Sequence, residues 1–135
     1  MKRRLQWAIL PTVLTALVAI APAVQSQPVQ TPLRTPVVVS GTAGGPQSSS
    51  CGFVPRTPNQ VVQVTEPFTS LRFKVQGSGQ LTLLISGPGG RNQCVMAVDG
   101  NIEAPGVWER GTYSLFVGDR SQAGGSRFTL TVSQE

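Results

Sequence analysis

The chain alternates apolar and polar residues in short runs, and the runs are separated by glycine-rich breaks. In "SLRFKV" Leu71, Phe73 and Val75 share one face, and Arg72 and Lys74 share the other. In "QLTLLIS" Leu81, Leu83 and Ile85 alternate with Thr82, Leu84 and Ser86. In "TYSLFV" Tyr113, Leu115 and Val117 alternate with Thr112, Ser114 and Phe116. In "RFTLTVS" Phe128, Leu130 and Val132 alternate with Arg127, Thr129, Thr131 and Ser133. A period of two over five or six residues marks a strand buried on one side. The β-branched run Val37 to Thr42 fits a further strand, and "QVVQV" and "CVMAV" fit two more. Between them, "QGSGQ", "SGPGGRN", "VDGN", "APG" and "GDRSQAGGS" read as turns. Asp99-Gly100 and Gly77-Ser78-Gly79 suit tight hairpins. No segment after Ser26 keeps a helical period over three turns. The pattern predicts an all-β, antiparallel β-sandwich of seven or eight short strands.

The first 26 residues follow another logic. Lys2, Arg3 and Arg4 precede an apolar run from Ala8 to Ala21, and small residues follow in "APAVQS". That order is expected of a secretory signal peptide, cut after Ala23 or, preferably, after Ser26, where no proline crowds the subsite. The run is short and interrupted for a membrane span, so the mature form is expected to have none. Leu5, Gln6 and Trp7 fit a twin-arginine signal poorly. Residues 27–36, "QPVQTPLRTP", read as a proline-rich linker, and 37–135 as the domain.

Removing that leader changes the charge. The chain has 11 Lys and Arg against 6 Asp and Glu. Three of the cations precede residue 27, which leaves eight against six, a net of +2. The remaining cations are scattered singly, so nucleic acid is not an expected partner. There are two cysteines and no histidine. An oxidising destination makes Cys51 and Cys94 one expected disulfide, and a zinc site lacks ligands.

The segments "VSGTAGG", "SCGFV", "LRFKVQGSGQLTLLISGPGG", "GTYSLFVGD" and "FTLTVS" together resemble the pre-peptidase C-terminal domain family over residues 37–135. The resemblance implies a jelly-roll-like sandwich acting as an accessory module of secreted enzymes. In the collagenase branch of that family, related domains bind calcium through an acidic linker and collagen through exposed aromatics. The linker here has no carboxylate, so neither property carries over.

Candidate chemistry is thin. Asp99, Asn101 and Glu103 alternate in "DGNIE", with Asp119 as a fourth oxygen donor, and are weak calcium candidates. Calcium takes six or more oxygens, so a turn followed by a loop is the expected reading and no metal is assigned. Asp119 equally suits the capping of a turn. Ser48, Ser49 and Ser50 have no activating base; Lys74 is the single lysine after residue 26. No catalytic residue and no cofactor are expected. Trp108 and Phe116 are the binding candidates. Phe116 and Leu84 oppose the main apolar set of their strands, which makes either an exposed patch or a face under a covering strand. Tyr113 is expected in the core.

These observations point to a non-enzymatic, secreted or periplasmic binding module for a protein or glycan at the cell envelope. The alternatives are a peptidase-associated protein or inhibitor acting on peptides, and a purely structural surface component.

Overall fold

The computed structural model describes residues 27–135. The expected signal peptide, and its cut near Ser26, lie outside the described residues. The fold is an all-β, jelly-roll-like sandwich of two sheets.

One sheet joins β2 (Val37–Thr42), β11 (Arg127–Gln134), β6 (Thr69–Gly77) and β9 (Asn101–Trp108) in that order. The other is centred on β10 (Gly111–Asp119). On one side of β10 lie β5 (Gln60–Val64), edged by β1 (Val29–Gln30), and β4 (Gly52–Val54), edged by β3 (Gln47–Ser49). On its other side lie β7 (Leu81–Ser86) and then β8 (Asn92–Met96).

The alternating residues do what their period requires. Leu71, Phe73, Val75, Leu130 and Val132 from the first sheet meet Leu81, Leu83, Val62, Leu115 and Val117 from the second in one buried core. No helix among the described residues is long and apolar enough to cross a membrane. Their one helical feature is the 3-10 turn Pro88–Gly90.

There are eleven strands, more than the seven or eight expected. Three of the additions, β1, β3 and β4, are two or three residues long. The fourth is β9, whose "DGNIE" and "APG" read as turn and loop. Asp99-Gly100 is a tight turn: both residues have positive φ, 53° and 78°, and Val98 and Asn101 exchange backbone hydrogen bonds. The chain then continues as eight residues paired with β6.

Pro105 does not break β9, because the hydrogen-bonded pairs of this ladder are set by Gly77 N–H donating to Gly100. Counting from there, position 105 turns its nitrogen to the open edge, where a missing donor costs little.

The architecture is not wholly antiparallel, since β1 runs parallel to β5. Residues 29–31 are therefore seated on that sheet, and Leu33 reaches the other. Thr31 is buried, its N–H donates to Gln63 O, and the Leu33 N–H donates to Gln134 Oε1.

Candidate functional site

Cys51 and Cys94 are disulfide-bonded, with Cα atoms 5.6 Å apart. Cys51 is wholly buried and lies at the β3–β4 turn; Cys94 is exposed on β8. The turn crosses the outer face of the β10 sheet, where the Thr82 hydroxyl donates to Cys51 O at 2.7 Å. Ser49 closes the same turn, accepting from the Cys51 N–H and donating to Gly52 O. Lys74 stands on β6 of the other sheet, opposite Glu103. Phe116 and Leu84 are cross-strand partners on the disulfide side of the sheet, and both are half-buried.

Of the calcium candidates, Asp119 and Glu103 have carboxylates engaged with other side chains or backbone, and Asp99 does not. Asp119 is 2% exposed. Its Oδ1 accepts from the Ser121 N–H at 2.8 Å and its Oδ2 from the Ser126 hydroxyl at 3.1 Å. It caps the β10–β11 connection. Asn101 donates its amide to Asp99 O, and Asp99 itself is exposed in the turn. Glu103 lies on β9 and meets Arg72 at 2.7 Å, which also pairs with Glu135 at 2.6 Å. Among the described residues no three acidic or sulfur side chains gather around a point that could hold a metal.

The opposite end of the sandwich is open. There β8 and β9, the edge strands of the two sheets, flank a cleft of about 540 Å³. Trp108 forms part of its wall. The alternation of β9 directs Ile102, Ala104, Gly106 and Trp108 inward, so the indole closes the end of the core. It sits 4.9 Å from the Phe73 ring and edge-on to Tyr113 at 5.4 Å. Its N–H donates to Leu71 O at 3.2 Å, which satisfies the one polar atom it buries.

Tyr113 is buried as expected, yet its ring also borders the cleft, and its hydroxyl donates to Glu109 O at 2.8 Å. Burial raises its pKa above the ordinary tyrosine value, and the nearby Glu109 charge adds to this; the bond to the Glu109 carbonyl and Arg91 act against it.

Two glycines let the walls come this close. A Cβ on Gly111 would lie 2.6 Å from Pro88 Cγ, and one on Gly87 would lie 2.9 Å from the Tyr113 ring.

Val107, 65% exposed, stands at the rim with Arg91, Gln93 and Glu109. Sequence reasoning singled out Trp108 and Tyr113 but missed these four and Pro88. They come from separate parts of the chain, and only the pairing of β9 with β6 and of β8 with β7 brings them together. Phe116 lies on the other side of its sheet and does not line the cleft.

This two-sheet arrangement matches a solved structure, the pre-peptidase C-terminal domain of a collagenase from Bacillus anthracis. The TM-score is 0.55 at 14% identity, covering 80% of this chain and 94% of that one. The chain shares the pre-peptidase C-terminal domain fold. A periplasmic inhibitor of g-type lysozyme from Aeromonas hydrophila is also similar, with TM-score 0.45, 14% identity, and coverage of 82% and 98%. In sequence, the chain is 37% identical over 86 residues to an uncharacterized protein of Synechococcus elongatus. That match covers 61% of this chain and 64% of the relative, less than two-thirds of its length. No protein-family model matches the chain.

Proposed function

We infer that the protein is an exported, non-catalytic β-sandwich module that binds a protein or glycan at the cell envelope through the Trp108 cleft. The observation that carries this is the contrast in how polar groups are used. Asp119 is buried and spends both carboxylate oxygens on the fold, and Glu103 is paired with Arg72, whereas the Trp108 cleft joins a half-buried aromatic wall to open polar side chains. Sites that bind are concave and largely apolar, with a few polar groups fixing orientation. Export is supported by the leader-like first 26 residues and by the disulfide, which persists in oxidising compartments. The fold of an accessory domain of a secreted enzyme suits this role.

A photoreactive benzoylphenylalanine placed at Val107 in the exporting cell tests the reading. Position 107 is expected to form adducts with an envelope component, and control positions 38 and 99 are not. No adduct at 107, or adducts at 99 alone, would overturn it. A hydrolase screen addresses catalysis: turnover that disappears in Asp99→Ala or Asp119→Ala would replace the binding reading with an enzymatic one.

A further inference from the structure

The cleft is bordered by an unusual strand edge. β8 pairs with β7 alone among the described residues. The Ala97 N–H donates to Leu81 O and the Gly87 N–H to Arg91 O. In an antiparallel ladder the hydrogen-bonded pairs alternate. Residues 91, 93, 95 and 97 therefore spend their backbone groups on β7, and Asn92, Cys94 and Met96 aim theirs at the open edge.

Natural sheets guard such edges with proline, charge or a short strand. The open edge of β9 carries Pro105 and Glu103; β1 and β3 are two and three residues long. The five residues of β8 contain no proline and no charge. The disulfide to Cys51 also ties the middle of β8 down, so its edge is held ready rather than frayed.

We propose that β8 takes up an extended segment of a partner protein as an added strand, with one uncharged, large apolar side chain of that segment filling the cleft against Trp108. This rests on the cleft being the binding site and names its ligand. Strand addition takes affinity from main-chain hydrogen bonds and specificity from pockets beside the edge. Both are present here side by side. The sheet's inward face at β8 is that of Gln93 and Val95, opposite Ile85 and Leu83. A strand added beyond it turns alternate side chains to the same inner side, toward the Trp108 indole, with Val107 standing on the rim of the cleft. Arg91 and Glu109 place one charge of each sign at the rim, so the cleft carries no net charge to favour a charged anchor. The other uncharged, proline-free edge, β2, has no cleft beside it: the hollow nearby is lined by residues of β2, β11 and β6 together, such as Ser40, Thr129 and Gln76.

The test pans phage-displayed random twelve-residue peptides on the oxidised protein purified as the cell exports it. Enriched peptides are expected to alternate apolar residues. They should bind at least tenfold more weakly to Asn92→Pro, which removes an edge donor at the first residue of a strand, and to Val107→Glu at the exposed rim. Val38→Lys on β2 should bind them as the parent does. Hydrogen exchange at the Asn92, Cys94 and Met96 amides should slow when peptide binds.

Failure to enrich any peptide, undiminished binding to Asn92→Pro, or unchanged exchange at those three amides would overturn the proposal. So would sedimentation showing that two copies already pair through this edge. A neutral oligosaccharide such as chitotetraose that quenches Trp108 fluorescence, with no peptide enriched, would remove strand addition and keep the binding-module reading. Absence of adducts at position 107 in the cell would remove that reading too.

Discussion

The two ends of the sandwich use the same kinds of residue for opposite purposes. At the turn end, polar groups point at one another. Asp119 bonds Ser121 and Ser126, the Ala43 N–H donates to Ser126 O, and the Gly44 N–H donates to Val117 O. At the cleft end, Arg91 and Gln93 point into a hollow floored by aromatic rings. The lesson is that carboxylates near a loop do not by themselves make a site. A buried carboxylate with both oxygens accepting hydrogen bonds is a structural part, because leaving those donors unpaired is costly.

This contrast can be broken by substitution, and the largest expected effect is at the disulfide. Cys51 and Cys94 are 43 residues apart in sequence. The chain-entropy relation gives about 4 kcal/mol for a loop of that size. Cys94→Ser together with Cys51→Ser should lower stability by that order in urea titrations; a change below about 1 kcal/mol would mean the closed end holds without its staple. Asp119→Ala comes next. It removes the acceptor for two donors at a buried position, a loss of about 2–3 kcal/mol. Equal stability in thermal melts would show that the cap is dispensable.

A smaller effect belongs to the cleft end. Tyr113→Phe deletes the hydroxyl bond to Glu109 O and should cost about 1 kcal/mol near neutral pH. The tyrosine also carries a pH signature. Its folded pKa is raised above the ordinary tyrosine value by burial. The stability it contributes is then fully present below about pH 10 and is lost as pH rises through the higher folded value. Denaturation profiles should show this alkaline loss in the parent and less of it in Tyr113→Phe; identical profiles would detach the effect from Tyr113. Smallest of all is calcium. Adding it should leave the melting temperature nearly unchanged, since a ligand stabilises only as far as it binds the folded state. A rise of several degrees would restore Asp99, Asn101 and Glu103 as a site.

Much of the fold was legible in the residues. The strict alternation of Leu71 to Val75, Leu81 to Ile85, Tyr113 to Val117 and Phe128 to Val132 is the core itself. What stayed hidden has physical causes. β9 was obscured by Pro105 and Gly106, which suggest a turn unless the strand is known to be an edge. β1 was obscured by its flanking prolines, although Val29 pairs with Val62. The pairing of Cys51 with Cys94 needed only their number and the expectation of an oxidising destination. The cleft was half legible. An aromatic at the end of a run suggests a rim, but its partners Arg91, Gln93 and Val107 are joined by sheet register, which one sequence does not display.

Trp108 is the single tryptophan after residue 26, so in protein beginning at Gln27 the tryptophan fluorescence comes from the cleft wall. The most direct measurement compares Val107→Glu at the open end with Asp99→Ala at the turn end. Each is titrated by Trp108 fluorescence with the peptides selected on the parent protein. Val107→Glu is expected to lose at least tenfold in affinity and Asp99→Ala to keep the parental affinity. Parental affinity in Val107→Glu with loss in Asp99→Ala would place the binding end where this account puts only structure.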